Sequence, residues 1–332
     1  MRNSRTASAL ALGGAALLAL TACAEGSAPK TPTSELTPVS FRLDWTIGAE
    51  HTGYIVAQAL GYYEDAGLDV TIAEGQGSSV TAQALAAGED EFGVISAGEV
   101  LASVSKGLPI ESIATVVQHS PTAIVYNTDK LTVESLDDLY GAKLGTVTSS
   151  SIYKEWQAVA ALTGTDESKI EVIDAGQAIV QALLSGQVDA ITGWTFNQGL
   201  QAQVEGADVE FLKFSDLGLD IPNSTLAVTT SFAQENPEAV AAFVEATARG
   251  WAYVAEHPDE SLQMLFDAYP EIDQDYNTRK LPLVQELMGD EFGTFDSTTW
   301  EALYQLYADQ GLLGEDVDLD GQVYTTEFLP AS

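Results

Sequence analysis

Basic residues are scarce in this chain of 332 residues, which has 13 Lys and Arg against 49 Asp and Glu and a formal charge of −36. Nucleic-acid backbones are bound through clustered Lys and Arg, so we expect no DNA or RNA partner. Anionic membrane surfaces would repel the chain as well. The acid excess does not predict disorder, because 45% of the residues are hydrophobic and 8% are aromatic, enough to form one large core or two ordinary ones.

Cysteine is rarer still, since Cys23 is the single one in the chain. One thiol excludes a disulfide framework and a thiolate zinc cluster. Cys23 follows a positive start, an apolar run over 9–20 and small residues at 21 and 22, which together resemble a bacterial lipoprotein signal. Residues 1–22 are therefore predicted as a signal peptide, with Cys23 lipidated. The alternative is an ordinary secretory signal with an incidental cysteine.

Residues 23–38 are rich in Ser, Thr, Pro and Ala and show no apolar period. This composition predicts a flexible tether between a lipid anchor at Cys23 and a folded body. The expected location is the outer face of the cytoplasmic membrane, where the protein is held by lipid and faces away from the cytoplasm.

From residue 39 onward, strand-like apolar runs alternate with helical stretches, which is the pattern of a parallel α/β sheet. One series of strands is predicted at 39–45, 68–73, 92–96 and 110–117, and a second at 143–147, 169–174 and 189–193. Extended stretches at 122–128 and 224–231 connect the two series, and residues beyond 237 are mostly helical. The fold class is α/β, with two predicted lobes: 39–126 plus 227–332, and 127–226.

Several segments carry a family resemblance: Phe41–Trp45, His51–Val70, Gly75-Gln-Gly-Ser-Ser79, Phe92–Ser96, Gly193-Trp-Thr-Phe-Asn-Gln198 and Tyr324–Pro330. Together they resemble extracellular solute-binding proteins of the thiamine-pyrimidine-precursor type, a family shared with yeast thiamine-pyrimidine synthase. The similarity extends over nearly all of the chain after the signal.

The resemblance implies a type II periplasmic-binding-protein fold, in which two hinged lobes close on a ligand in a central cleft. It also implies a small-molecule ligand, delivery to the membrane permease subunits of an ABC importer, and action as a monomer. A pyrimidine precursor of thiamine is the leading ligand. Related members look like carriers of riboflavin, nitrate, taurine or alkylsulfonates, so these ligands remain alternatives.

The first predicted lobe offers four candidate ligand contacts near the end of its first strand, where open α/β sheets place their crevice. Trp45 has a flat face for an aromatic ring, or else caps the core. Asp44 accepts hydrogen bonds from ring amino groups, or else caps the following helix. His51 and Tyr54 open that helix on the same side, and His51 has a purely structural hydrogen-bonding role as its alternative.

Serine-rich helix starts occur in both predicted lobes. Ser78 and Ser79 in the first, and Ser149 with Tyr153 one turn on in the second, either hold a polar or anionic group beside free backbone amides or simply cap their helices. Ser96, at the end of the strand over 92–96, joins the candidate set. Two such helix starts facing one cleft are more informative than either alone.

The segment after the strand at 189–193 supplies three more candidates. Trp194 would stack on a planar ring opposite Trp45, adding on the order of 1 kcal/mol beyond area burial, or else forms an apolar contact between lobes. Asn197 and Gln198 would supply amide hydrogen bonds. Pyrimidine binders of this family are expected to have a carboxylate near position 198, so Gln198 departs from the pattern.

Positive charge is nearly absent from the predicted cleft, where Lys154 is the one basic residue. A strongly anionic ligand would favour an Arg fork. Neutral heteroaromatic ligands are therefore favoured over nitrate or sulfonates, although helix-start amides could still hold a small anion.

Catalytic and metal motifs are weak. The chain has no His-Glu-x-x-His, Walker loop or Gly-x-Ser-x-Gly elbow. The synthase relatives look like enzymes with a cysteine-rich iron segment and lysine-held pyridoxal phosphate, and this chain has no such segment, so we expect a binding protein without a cofactor. A calcium-loop spacing at Asp316, Asp318, Asp320 and Glu327 matches in full, but this stretch also resembles the family's ordinary tail, so no metal is expected.

Overall fold

The computed structural model describes residues 36–148, 150–289 and 291–330. Within these residues there are two five-stranded sheets. The first contains β1 (Thr37–Arg42), β2 (Leu68–Ala73), β3 (Phe92–Ser96), β4 (Ile110–Val117) and β10 (Ser224–Thr229). The second contains β5 (Thr122–Asn127), β6 (Lys143–Thr146), β7 (Glu171–Asp174), β8 (Ala190–Trp194) and β9 (Val209–Lys213).

The two sheets share one topology. Their strand orders are β2-β1-β3-β10-β4 and β7-β6-β8-β5-β9. In each sheet the first three strands are parallel and the fourth is antiparallel to both of its neighbours. That antiparallel strand is β10 in the first sheet and β5 in the second. Each of these two strands comes directly after the chain has crossed from one lobe to the other.

Helices connect the strands and cover the sheets: α1 (Thr52–Ala59), α2 (Tyr62–Asp65), α3 (Ser78–Ala87), α4 (Ala97–Val104), α5 (Ser151–Thr163), α6 (Ile179–Leu184), α7 (Leu200–Val204), α8 (Thr230–Glu235), α9 (Pro237–Glu256), α10 (Pro258–Ala268), α11 (Gln274–Gln285) and α12 (Ser297–Asp309). The longest, α9, buries a stripe of side chains at helical spacing, namely Val240, Phe243, Val244, Thr247 and Trp251. This stripe packs α9 onto the first sheet and onto α1.

The core of the first lobe is aromatic. The Phe243 ring stacks on Phe92 with centroids 4.0 Å apart and on Tyr63 at 5.3 Å. The second lobe has a smaller aliphatic core around Val125, Leu183 and Ile191. A further cluster joins Ile95 and Leu101 of the first lobe to Trp156 of the second, and includes Trp300 and Leu303 of α12. The helix α12 therefore belongs to the interface between the lobes.

The predicted lobe boundaries at 126/127 and 226/227 fall inside strands. Residues 122–127 form β5, which pairs with β8 and β9 of the second sheet. Residues 224–229 form β10, which pairs with β3 and β4 of the first. Both segments are β-prone, but sequence patterning does not reveal which sheet a strand joins. The pairing places the crossings at 118–121 and 214–223 instead.

The two crossings are tied together by hydrogen bonds. Asp220 accepts from the Ser120 N–H at 2.8 Å and from the His119 ring at 2.7 Å. The Asn223 N–H donates to the Val117 carbonyl at 2.9 Å. Two adjacent extended segments linked in this way form a narrow connection about which lobes can rotate.

The predicted signal peptide, Cys23 and most of the predicted tether lie outside the described residues, as does Ser149. The tether was predicted to end at 38, whereas β1 begins at Thr37. Among the described residues, we find no helix with the length and apolar character needed to cross a membrane.

Candidate functional site

A cavity of about 280 Å³ lies between the lobes at the carboxyl ends of β1, β3 and β8. This is the edge at which open α/β sheets bind ligands. We call it the ring compartment. Its lining comprises Asp44, Trp45, Glu50, His51, Gly77, Ser78, Val94, Val117, Trp194, Phe196, Asn197, Asn223 and Ser224. Both lobes contribute, so any occupant would touch both.

Asp44 is the best-anchored polar group of this compartment. The Gly48 N–H points at Nδ1 of His51 at 3.3 Å, which leaves Nε2 as the protonated ring nitrogen. That nitrogen donates to Asp44 Oδ1 at 3.0 Å. The His51 side chain is 1% exposed, while the Asp44 side chain is 27% exposed. His51 therefore orients Asp44 from behind, and Asp44 faces the cavity as a hydrogen-bond acceptor.

The loops that present Asp44 and Trp45 are fastened to the loop before α3. The Gly77 N–H donates to the Asp44 carbonyl at 2.7 Å, and the Gly75 N–H donates to the Trp45 carbonyl at 3.0 Å. A Cβ at Gly75 would overlap the Leu43 carbonyl, so only glycine permits this approach. The Trp45 ring remains 57% exposed and does not cap the core.

Glu50 forms a buried ion pair beneath the compartment. Lys280 of α11 donates to Glu50 Oε1 at 2.6 Å, and their side chains are 8% and 20% exposed. Burial alone raises the pKa of Glu50, but the charge and hydrogen bond of Lys280 hold it below its ordinary value. The Lys280 ammonium also lies 5.5 Å from the Phe196 ring centre in the second lobe. Within the described residues, Glu50 Oε2 is buried without a hydrogen-bond partner.

The second lobe supplies an aromatic wall. Trp194 ends β8, and residues 195–199 continue as a single wide helical turn that places Phe196 and Asn197 in the cavity. The rings of Trp194 and Phe196 lie 5.6 Å apart at a tilt of 42°. The structure thus brings Trp45 and Trp194 to one cavity from opposite lobes, as a ring-stacking cleft would need.

A second cavity of about 230 Å³ continues from the first, sharing Asp44, Ser78, Trp194 and Asn223 with it. We call it the polar compartment. Ser78 and Ser96 meet there, because the Ser96 N–H donates to Ser78 Oγ at 3.0 Å. Ser78 makes no side-chain cap of α3. Its other lining includes Ser120, Ser151, Glu155 and Tyr307.

Four predicted contacts do not line either compartment. Tyr54 is 1% exposed and packs edge-on against Phe41 and Trp251, and burial raises its pKa well above the usual value. Ser79 is exposed to solvent. Helix geometry explains both positions. Tyr54 lies on the face of α1 that packs against the core, and Ser79 lies on the outer face of α3.

Tyr153 and Gln198 also have structural positions. Tyr153 packs against the cluster between the lobes, and its N–H donates to Ser150 Oγ. Gln198 Oε1 accepts from the Trp194 N–H at 2.9 Å, and its side chain packs over Gly193. Gln198 therefore stabilises the turn that presents Trp194, and the carboxylates of the cleft come from other positions.

Sequence reasoning missed Glu50, Asn223 and Glu155. Glu50 lies one residue before His51 and could have been flagged as an acid beside a candidate. Asn223 and Glu155 carry no local signal, because they enter the cleft through the second crossing and through one face of α5.

The cleft is acidic. Of the described residues that line the two compartments, none is Lys or Arg, while Asp44, Glu50 and Glu155 are carboxylates. Lys154, predicted to face the cleft, instead lines a neighbouring cavity with Lys106 and Glu99. An anionic ligand would meet the Asp44 carboxylate and no Lys or Arg in the lining of either compartment, although Lys280 pairs with Glu50 beneath the first and Lys154 lines a cavity that shares Glu155 with the second.

The four acidic residues of the calcium-loop spacing lie on the C-terminal segment of the described chain. In the described part of the chain, no group of three or more His, Cys, Asp and Glu side chains is placed to hold a metal. Tyr324 pairs with Ser112 on the exposed edge of β4, and Asp320 bridges to Tyr324. The segment is thus an extended tail that covers a sheet edge. Next to it lies an open groove of about 770 Å³ whose lining residues include no aromatic side chain.

The architecture is the periplasmic-binding-protein fold: two sheets of matching topology, joined by paired crossings, with the cavity between them. The aliphatic sulphonate binding protein SsuA of Escherichia coli superposes with a TM-score of 0.71, at 14% identity, over 88% of this chain and 99% of its own. At that identity the likeness shows the fold alone.

Residues 48–261 match the NMT1/THI5-like family, and the chain belongs to that family. Three relatives align along most of their own length. The formylaminopyrimidine-binding protein of Halalkalibacterium halodurans is 28% identical over 86% of this chain and 88% of its own. The riboflavin-binding protein RibY of Chloroflexus aurantiacus is 26% identical over 97% of both. The 4-amino-5-hydroxymethyl-2-methylpyrimidine phosphate synthase of Legionella pneumophila is 25% identical over 88% of this chain and 92% of its own.

Proposed function

We propose that this protein is the extracytoplasmic solute-binding component of an ABC importer and that it captures a small amino-substituted heteroaromatic ring. The leading ligand is a pyrimidine precursor of thiamine, of the hydroxymethylpyrimidine or formylaminopyrimidine type. The ligand would bind between the lobes as they close about the paired crossings, and the permease subunits would receive it from the closed protein.

One observation carries this proposal: the ring compartment pairs an anchored carboxylate with aromatic walls. Asp44, held by His51, accepts hydrogen bonds from a ring amino group. Trp45 and Trp194 offer flat faces for the ring. The cavity volume of about 280 Å³ lies at the small end of ligand pockets, which suits a single ring.

The acidic lining disfavours nitrate and alkylsulfonates, which are anions, and it offers no Lys or Arg to the sulfonate end of zwitterionic taurine. Riboflavin is the second candidate, because its isoalloxazine is uncharged and the cleft extends beyond the ring compartment into the polar one. The relative named RibY aligns with this chain over 97% of both chains.

A synthase role is the alternative from another class, since some relatives bear that name. A pyridoxal phosphate enzyme needs a lysine in its cleft, and the described residues that line the two compartments include none. Purified protein should show no pyridoxal absorbance and no bound iron. A stoichiometric signal from either group would reverse the choice between carrier and enzyme.

The deciding experiment is a thermal-shift screen of the purified chain against hydroxymethylpyrimidine, formylaminopyrimidine, thiamine, riboflavin, taurine and nitrate. A ligand present at a hundred times its Kd adds about 2.7 kcal/mol of stability, which shifts Tm by roughly 5 °C or more. We expect that shift with a pyrimidine precursor. Stabilisation by taurine or nitrate alone would overturn the proposed ligand class, and stabilisation by riboflavin alone would replace the pyrimidine.

We also propose that Cys23 carries the lipid that holds the protein at the membrane. Replacing Cys23→Ala should move the protein from the membrane fraction to the soluble fraction. Membrane fractionation that is unchanged by the substitution would rule the anchor out.

A further inference from the structure

The cleft does not end with the ring compartment. The polar compartment opens from it past Asp44, Ser78, Trp194 and Asn223, and differs from it in chemistry. The lining of the ring compartment includes five large apolar side chains: Trp45, Val94, Val117, Trp194 and Phe196. The polar compartment is lined in large part by hydroxyl and carboxyl groups: Ser78, Ser96, Ser120, Ser151, Glu155 and Tyr307. A ligand that consists of a single aromatic ring would use only the apolar compartment.

Glu155 is the distinctive group of the polar compartment. Thr122 Oγ1 donates to Glu155 Oε2 at 2.5 Å. Within the described residues, the other oxygen, Oε1, accepts no hydrogen bond. It is not one of the fully buried side-chain oxygens that lack a partner, so it retains some exposure. A carboxyl that is held on one side and unengaged on the cavity side is arranged to accept a hydrogen bond from a ligand.

Burial raises the pKa of Glu155 to about 7. The charged and titratable groups around it are Glu99 on α4, Lys106 just after α4, Lys154 on its own helix, Tyr307 on α12, and Asp44 across the polar compartment. Burial, together with the nearby Glu155 and Glu99, raises the pKa of Tyr307 above its usual range, so Tyr307 stays protonated. At neutral pH Glu155 is therefore divided between its neutral and ionised forms, and a cationic ligand group would favour the ionised form.

We propose that the polar compartment is a second subsite of the cleft, which takes a hydroxyl- or amine-bearing arm attached to the ligand ring, with Glu155 as its specificity-determining residue. The inference rests on the proposed function, because the arm is defined relative to a ring held at Asp44. An ammonium arm gains the most, since it donates to a carboxylate. A bare ring gains nothing.

The subsite also couples the arm to lobe closure. Ser96 comes from the first lobe, Glu155 and Ser151 from the second, Ser120 from a crossing and Tyr307 from α12 between them. A ligand arm in this compartment would contact both lobes, one crossing and α12. Ligands with an arm should therefore stabilise the closed form more than ligands without one.

The test compares three aminopyrimidines that share one ring and carry a methyl, a hydroxymethyl or an aminomethyl group at the same ring carbon. Their affinities are measured by calorimetry at pH 6 and pH 8 on the chain as it stands, on Glu155→Gln and on the control Glu99→Gln. Glu99 lines only the neighbouring cavity. Ser151→Ala is a second probe of the subsite that changes no core side chain.

We expect the aminomethyl compound to bind at least tenfold more tightly than the methyl compound at pH 8, with a smaller advantage at pH 6. Glu155→Gln should abolish this advantage and leave the methyl compound within twofold of its original Kd. Ser151→Ala should reduce the advantage, and Glu99→Gln should preserve it.

Two results would overturn the subsite while leaving the proposed function standing: equal binding of all three compounds, or an equal loss for all three in Glu155→Gln. If the unmodified chain binds none of these compounds and none of the ligands in the thermal-shift screen, the proposed function falls and the subsite falls with it.

Discussion

The two walls of the ring compartment are built differently. In the first lobe, three polar side chains are tied to partners of their own lobe: Asp44 to His51, Glu50 to Lys280, and Ser78 to the Ser96 backbone. In the second lobe, Trp194 and Phe196 present apolar surface beside the amide of Asn197, and Gln198 accepts from the Trp194 N–H instead of facing the cavity. The first lobe is thus organised to orient a ligand before closure, and the second adds apolar area when it closes.

The largest effect should come from breaking the buried ion pair of the first wall. Lys280→Met leaves the Glu50 carboxyl without its partner in a site where both side chains are largely buried. We expect the free energy of unfolding to fall by roughly 3 kcal/mol, as in other buried pairs that lose one partner. Urea denaturation at pH 7 measures this.

The double variant Lys280→Met with Glu50→Gln is the control, because it removes the stranded charge. It should recover most of the lost stability. A double variant as unstable as Lys280→Met would mean that Lys280 acts through its packing against Phe196 and Tyr276 and not through charge.

The next effect concerns the anchored carboxylate. Asp44→Asn keeps the shape and the hydrogen bond from His51 but removes the charge, so affinity for an aminopyrimidine should fall by about 1.5–3 kcal/mol, or roughly 10- to 150-fold. Isothermal calorimetry measures this. Asp259→Asn on α10, an exposed carboxylate outside the cleft lining, should leave affinity unchanged. Equal affinities for both variants would remove Asp44 from the site.

The second lobe contributes one titratable group whose effect appears as pH dependence. Burial raises the pKa of Glu155 from 4.5 to about 7, so between these values the folded state binds more protons than the unfolded state. Stability from this group is present below pH 4.5 and is lost as pH rises through 7, by about 3 kcal/mol. Denaturation of unmodified chain and Glu155→Gln at pH 5 and pH 8 should show a flatter profile in the variant. Parallel profiles would contradict a raised pKa.

The smallest effect should come from the exposed link between lobes. Lys213 of β9 pairs with Glu286 just after α11 at 2.6 Å, with side chains 31% and 60% exposed. Screening by solvent limits such pairs to less than about 1 kcal/mol. Lys213→Ala should therefore lower Tm by no more than about 2 °C, with high salt erasing the difference. A larger loss would place this pair among the main determinants of closure.

Local sequence signals located most elements well. Strands predicted at 68–73, 92–96 and 110–117 coincide with β2, β3 and β4, because their apolar runs end at Gly, Pro or polar residues. Pro237 and Pro258 set the starts of α9 and α10 by their fixed backbone angle. The helical stretch between β1 and β2 is two helices, since Gly61 adopts a left-handed conformation between α1 and α2.

The candidate site was only partly accessible to the same reasoning. Trp45, Trp194 and Asn197 line the cleft because they follow strand ends, a rule that depends on order along the chain. Tyr54 and Gln198 follow the same rule and still point elsewhere. The position of Tyr54 on its helix turns its ring into the core, and Gln198 turns back to accept a hydrogen bond from the Trp194 N–H. The position of Glu155 in the cleft is visible only once the two lobes are packed together.

By itself the sequence determined an α/β protein with two similar units, an acidic surface and a family. Those properties follow from local periodicity, composition and motif order, which do not require distant residues to meet. Only the tertiary structure decided which sheet receives β5 and β10, which carboxylates enter the cleft, and that the cleft has two compartments. Those outcomes depend on strand pairing and lobe packing between residues far apart in the chain, whose contacts leave no mark on the sequence nearby.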